Sequence, residues 1–424
     1  MKIMKRFIIL ALALTMALAA VLAPVSPAFA AQAKTAAQIA GGLTIAPGSD
    51  ETRLNFSWYS PGRSDTLVIR ESGASGARSF AAGGAKVSDA LGYADKVTVT
   101  GLKSGSDYYY KLKTAAGDSP EYKVTTGLPK AFDFFVMGDA QIDSAKSARA
   151  WAKTLDTALS MFPHANFMVS LGDQSDVRND EQLYADYLSP PALRSLPAAE
   201  TVGNHDNGGA AYALRFNMPN VSDLGAGADP ALSQGDYWFR YGKALFMDLN
   251  SNNIDISVHK RFMESAIKAN TDCVWRIVIC HHGPYSEGAH YNDSDQVGKG
   301  GRRLTWTPVF DELGIDAVFS GHDHCYTRTY QMLGNKPQKN LTIGKGAVVS
   351  PPGTLYITAN SSSGSKYYGF GSKRRASFSA ARSQNYRPQF INVYLTDQRL
   401  SLADFEIQPD GTVIAVDAYS IQKS

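Results

Sequence analysis

Five short segments of this chain set metal-binding side chains directly after a glycine turn or an apolar run. They are Gly138-Asp139-Ala140-Gln141, Gly172-Asp173, Gly203-Asn204-His205-Asp206, His281-His282-Gly283-Pro284 and Gly321-His322-Asp323-His324, with Asp176 trailing the second. In the last segment two histidines flank one residue, straight after a Gly that ends an apolar run. Two imidazoles can then point into one pocket. With two Gly-Asp pairs and an Asn added, the inventory is that of a two-metal hydrolase.

Such a site suits phosphoesters, whose anionic oxygens repel nucleophiles. Two cations roughly 3.5–4 Å apart can hold those oxygens and lower the pKa of a bound water to make hydroxide. One carboxylate usually bridges the pair. Asp173 is the candidate, because a short side chain in a Gly-preceded turn can lie between both ions. Asp139 then caps one ion, Asn204 offers an amide oxygen to the other, and His282, His322 and His324 complete the two shells. Three imidazoles beside two carboxylates suit two divalent or mixed-valence ions drawn from Fe, Zn or Mn; calcium would want oxygen alone. His205 follows Asn204 directly and would stand beside the substrate, where it can protonate the leaving oxygen. Asp206 is expected to hold that imidazole in the right tautomer. Each segment alone is weak, since a lone Gly-Asp is usually a turn. The weight lies in all five together, in this order, mostly at the ends of strands.

The elements that must position them fall into two regions. From about Leu43 to Thr126 the pattern is all-β: Leu54, Phe56 and Trp58 alternate with Asn55 and Ser57, and further short β-prone runs follow between Gly, Ser, Asp and Pro turns. Gly127-Leu128-Pro129 reads as a linker. Beyond it, apolar strand-length runs at 132–137, 167–171, 243–249, 274–279, 317–319 and 355–358 alternate with helical periodicity at 144–162, 257–269 and 303–313. Near-continuous apolar strands between amphipathic helices imply a sheet covered on both faces, with ligands gathered beyond the strands' carboxyl ends. Ser361–Ser383 is Ser-, Gly- and Arg-rich and reads as a long surface excursion; the tail from Gln389 is expected to add edge strands.

The ordered set Gly-Asp, Gly-Asp, Gly-Asn-His-Asp, His-x-Pro, Gly-His-x-His resembles the calcineurin-like metallophosphoesterase superfamily. His322-Asp323-His324-Cys325-Tyr326, with a β-sandwich in front, is similar to the purple acid phosphatase branch. The segment Val97–Tyr110 resembles the late-strand turn of a fibronectin type III-like domain, where a Leu plugs the core before a Gly turn and a Tyr follows. The resemblance implies an α/β chain: an N-terminal β-sandwich at 43–127, then a four-layer α/β/β/α catalytic domain at 130–424 with C-terminal strands. It also implies a dinuclear site with Asp139, Asp173, Asn204, His282, His322 and His324 on ligand positions and His205 on the catalytic one. His282 is preferred to His281 on the His-x-Pro spacing. His290, eight residues on, falls where the branch sets substrate-facing histidines. Two departures matter. The branch carries an iron-binding Tyr where this chain has Asp176, so the purple chromophore is expected to be absent; Asp176 either ligates or, as favoured, accepts hydrogen bonds beside the site. The wider superfamily often has Asp-x-His at the first segment, and here Gln141 replaces that His as an expected hydrogen-bond partner.

The ends and composition bound the setting. Among 424 residues, 44% are hydrophobic and 19% charged, which suits a packed core and excludes wholesale disorder. Lys2, Lys5 and Arg6 precede an apolar run from Phe7 to Ala23, and Ala28-Phe29-Ala30 fits a cleavage site, so residues 1–30 read as a signal peptide and 31–42 as a leader. A secreted or extracytoplasmic protein follows, with an uncleaved anchor as the alternative. The formal charge of +3 resides in those first 30 residues, which leaves no nucleic-acid surface, and no later run is long enough to span a membrane. Cys273, Cys280 and Cys325 are too few for a disulfide framework; a Cys280–Cys325 pair is weighed below buried free thiols. The expectation is an exported, acid phosphatase-like phosphomonoesterase acting on a small-molecule phosphoester. A phosphodiesterase or nucleotide hydrolase is the enzyme alternative, and a surface binding protein with a vestigial site the non-enzyme one. Oligomeric state is not legible.

Overall fold

A computed structural model of the protein describes residues 41–88, 91–227, 232 and 234–424. Residues 1–30, expected to be a signal peptide, and residues 31–40 of the expected leader lie outside the described residues. The first strand, Gly41–Pro47, starts within the expected leader.

Residues 41–125 form two facing antiparallel sheets. Leu67, Ile69, Tyr108, Tyr110 and Leu112 point into their shared core with Phe56 and Trp58. Leu102 is buried there, and the Tyr108 hydroxyl accepts from the Lys103 backbone N–H at 2.8 Å, pinning the turn before its own strand. The strand Leu54–Ser60 is buried at every position despite its alternating sequence. Its polar face is covered too: Asn55 donates to the Asn217 carbonyl at 2.9 Å, and the Asn217 amide donates back to Phe56 and Val97. Lys96 Nζ caps the Ala213 and Phe216 carbonyls, each at 2.6 Å. The sandwich is thus bonded to the segment that follows Asn204.

The rest of the chain builds two mixed sheets packed face to face. One has eight strands, with Ala131–Met137, Phe167–Ser170 and Ala198–Glu200 parallel. The other has seven, with Ala244–Leu249, Trp275–Cys280, Ala317–Ser320 and Leu355–Thr358 parallel. Phe134 and Phe167 from the first meet Phe246 from the second edge-on at 5.3 and 5.5 Å. The helix Ala145–Met161 covers the first sheet, and the helices Ile256–Ala269 and Arg302–Glu312 cover the second, giving four layers. No helix among the described residues is long and apolar enough to cross a membrane.

The first helix shows how locally the layers are specified. Ser144 and Ser147 form a reciprocal capping box, and Trp151, Leu155 and Ala158 line the buried stripe. Trp151 stacks on Tyr187 at 5.4 Å, with its indole N–H on the Tyr187 carbonyl at 2.9 Å. Trp151→Ala is expected to lower the unfolding free energy by about 3–5 kcal/mol in urea titration; an unchanged midpoint would contradict that packing role.

Two expectations need correction. The tail is not at the edge: Gln389–Thr396 pairs antiparallel with Ala131–Met137 in the middle of the eight-stranded sheet, because that strand's second side is otherwise unpaired. Nor is Ser361–Ser383 merely superficial. Ser361, Ser362 and Ser363 are buried, and Ser379–Ser383 adds a strand beside Tyr326–Thr329. The three cysteines are free, and Cys280 and Cys325 are buried.

Candidate metal centre

Parallel strands deliver their carboxyl ends to one rim of the double sheet, and the five segments are the loops that leave it. Asp139 follows Ala131–Met137, Asp173 follows Phe167–Ser170, Asn204 follows Ala198–Glu200, His281 and His282 follow Trp275–Cys280, and His322 and His324 follow Ala317–Ser320. Asp139, Gln141, Asp173, His322 and His324 all have positive φ, between 28° and 71°. That conformation is strained for side-chain-bearing residues and clusters where function fixes a side chain's direction. The glycines of the motifs have a second cause, which is space. A Cβ on Gly203 would lie 2.0 Å from Asp173 Oδ1, and one on Gly321 would lie 2.4 Å from Asp139 Oδ2. Each glycine clears room for another loop's carboxylate.

The side chains converge as two adjoining groups: Asp139, Asp173 and His281 in one, His281, His282 and His322 in the other. His281 Nε2 is 3.0 Å from Asn204 Oδ1, 3.3 Å from Asp173 Oδ2 and 3.3 Å from His322 Nδ1. His322 Nδ1 is 3.1 Å from Asn204 Oδ1. His324 Nε2 approaches Asp139 Oδ1 at 3.6 Å. The tautomers make these contacts informative. His281 Nδ1 must donate to the Leu171 carbonyl at 2.8 Å, and His324 Nδ1 to the Lys366 carbonyl at 2.7 Å. In the neutral rings both Nε2 lone pairs therefore face oxygen lone pairs. Only a proton or a cation between them makes the arrangement attractive, and two carboxylates, an amide oxygen and imidazoles are a donor set for a borderline divalent metal. The residues fit the expected ions.

Electrostatics agree. Burial drives the Asp139 carboxyl above its ordinary range; His281 opposes this and Asp173 reinforces it. Burial would also raise Asp173, but His281 and the His205 backbone N–H outweigh it and hold Asp173 ionised. His281 is pulled down by burial yet raised to about 9 by Asp173. Burial holds His324 down to about 4 and His322 well below the usual histidine value, both neutral and able to ligate at neutral pH.

The geometry places His281, rather than the preferred His282, against Asn204 and Asp173, with both histidines in the ligand groups. His281 belongs to both groups and reaches Asn204 and Asp173, whereas His282 belongs to one and has its Nδ1 on the Ser251 hydroxyl at 2.9 Å.

Asp206 also departs from expectation. Its Oδ2 accepts from the Asp173 and Gly203 backbone N–H groups at 2.7 and 2.9 Å, and its Oδ1 accepts from the Tyr184 hydroxyl at 2.8 Å. It shapes the two loops and does not touch His205. The partner of His205 Nδ1 is the Asp176 carbonyl at 2.6 Å. The Gln141 amide nitrogen donates to Asp176 Oδ1 at 2.8 Å and lies 3.1 Å from His205 Nε2. Asp176 and Gln141 are thus hydrogen-bonded to each other beside the site, and Asp176 is in neither ligand group. His205 and His290 are only partly buried, unlike Asp139, Asp173, His281 and His324. His290 lies 4.5 Å from the His322 ring, with its Nδ1 on Asp293 at 2.8 Å.

Several supporting residues escaped the sequence reading. Ser251 holds His282 at both its ring and its backbone N–H, Tyr184 holds Asp206, and the Ser361 and Ser363 hydroxyls donate to the Asp139 and Ala140 carbonyls. The serines had one available signal: their run begins just past the strand Leu355–Thr358, at the same rim.

Residues 132–326 match the calcineurin-like phosphoesterase family. Mouse acid phosphatase type 7 is 27% identical over 334 residues, covering 73% of this chain and 70% of that one. Purple acid phosphatase 18 of Arabidopsis thaliana is 25% identical over 278 residues, covering 59% and 57%. In fold, the chain is similar to purple acid phosphatase PPD1 from yellow lupin seeds, with a TM-score of 0.70 at 14% identity, over 91% of this chain and 75% of the lupin one.

Proposed function

Residues 132–326 form a calcineurin-like phosphoesterase domain with purple acid phosphatases among its relatives, and on that premise we propose that this metallophosphoesterase is a dinuclear, acid phosphatase-like phosphomonoesterase that works after export. The observation that carries the reading is the convergence of His281 Nε2 and His322 Nδ1 on the Asn204 amide oxygen, beside an Asp139–Asp173 pair. Asp139, Asp173 and His324 would hold one ion; Asp173, Asn204, His281 and His322 the other. When bound, two such ions would neutralise phosphoryl charge and acidify a water.

The chain's own groups do the rest. His205 has its Nδ1–H committed to the Asp176 carbonyl, so it can give a proton to the departing alcohol only as the imidazolium, from a second proton carried on Nε2. His290 stands against His322, where a phosphate oxygen or the leaving group would pass. Asp206 fixes the backbone on which Asp173 and His205 sit.

Paired assays on an aryl phosphomonoester and a bis-aryl diester, with Mn, Zn or Fe loaded, test the reading; a marked diester preference would reject the monoesterase assignment. Elemental analysis of the purified protein should find close to two ions per chain. Because Asp176 offers no phenolate, the native protein should show no visible charge-transfer band, and a purple or pink preparation would overturn that expectation. Mass spectrometry of the mature N-terminus tests export: cleavage after Ala30 is expected, and a retained Met1 would count against it.

A further inference from the structure

The segment Ser361–Ser383 reaches the rim of the site, yet the reading above gives its side chains no part in the reaction. It is held there at several points. Ser361 and Ser363 bond the Asp139 and Ala140 carbonyls, and the Lys366 carbonyl accepts from His324 Nδ1. The Tyr368 ring lies 5.0 Å from the His324 ring and 5.2 Å from that of His290. Gln384 Nε2 donates to both the His324 and the Tyr368 carbonyls.

Lys366 is exposed, in contrast to the ligand carboxylates beneath it. Its Nζ lies 5.3 Å from the centre of the Tyr368 ring. It makes no ion pair among the described residues. The ammonium thus lies over a ring that packs against the His324 and His290 rings, on a loop whose backbone His324 anchors, at the rim that a phosphoryl group must cross.

We propose that Lys366 determines substrate class, by meeting the second negative charge that a phosphomonoester dianion carries and a diester lacks. The inference rests on the phosphoester-hydrolase reading and deepens it. A monoester's second ionisation falls near about 6, so its terminal group is largely a dianion at neutral pH. In a diester the corresponding oxygen bears a second organic group, which gains nothing from an ammonium and is crowded by Tyr368. A fixed point charge on a flexible stem suits such a contact, because it demands no single angle of approach.

The test compares Lys366→Met, which removes the charge at similar length, with Lys366→Arg. Both keep the backbone carbonyl that His324 uses. For Lys366→Met, kcat/KM on an aryl phosphomonoester should fall about tenfold and on a bis-aryl diester by less than about twofold. Inorganic phosphate, titrated calorimetrically into the metal-loaded protein, should bind about tenfold more weakly to Lys366→Met. Lys366→Arg should recover most of both losses. Equal losses on the two esters, with phosphate affinity unchanged, would make Lys366 a structural prop and overturn the inference while leaving the hydrolase reading intact. A wild-type protein inert toward both esters would overturn that reading and this inference with it.

Discussion

Asp173→Ala is expected to abolish turnover and to lower the metal content together. The carboxylate is buried, belongs to the first ligand group with Asp139 and His281, and lies 3.3 Å from His281. Its removal leaves Asp139 and His281 without their shared counterpart. Breaking a buried charge contact by deleting one partner costs about 3–5 kcal/mol. At 1.36 kcal/mol per tenfold, that corresponds to a loss of about 10²–10⁴ in metal affinity, and in rate wherever the ions are required. Asp173 Oδ1 also accepts the His205 backbone N–H at 2.9 Å, so the alanine variant loosens His205 as well. Asp173→Asn separates these roles: it keeps an acceptor for His205 but removes the charge, and it should still fail. Turnover and metal stoichiometry measured on the same preparations decide the matter. Activity within about twofold of wild type in Asp173→Asn would remove Asp173 from the bridging position.

The second large effect should dissociate rate from metal. His205→Ala is expected to slow monoester hydrolysis by about 10²–10⁴-fold while metal content stays at the wild-type level. His205 stands outside both ligand groups, is partly exposed, and is oriented through the Asp176 carbonyl and Gln141. A leaving group that needs no proton should escape most of the penalty, so the defect should be larger for an alkyl than for a nitroaryl ester. Loss of metal from His205→Ala, or an equal defect on both esters, would argue for a structural role instead. Asp206 gives a contrast. As a backbone-positioning residue it should affect stability and metal retention before it affects leaving-group dependence.

Much of this site was legible in the chain because its logic is local. A Gly followed by Asp, Asn or His just after an apolar run specifies a strand, a tight exit and an inward side chain within a few residues. Asp139, Asp173, Asn204, His322 and His324 were readable for that reason, as was the helix at 145–161 with its Ser144 cap. The replacement of the iron-binding Tyr by Asp176 was equally readable, and the bond from Gln141 to Asp176 agrees with the hydrogen-bonding roles expected of both.

What tertiary structure alone decided were directions and partners across long separations. Adjacent His281 and His282 are chemically identical in sequence; only the approach of Leu171 and Asn204 to one, and Ser251 to the other, separates them. Asp206 sits next to His205, but the turn aims its carboxylate back at Asp173 and Tyr184, so sequence proximity suggested the wrong partner. The placing of Gln389–Thr396 in mid-sheet depends on an open strand edge more than 250 residues earlier in the chain, which no local pattern encodes. Motif spacing determined which chemistry the chain carries. The fold decided which nitrogen faces which oxygen, because a side chain's direction is set by everything packed around its loop.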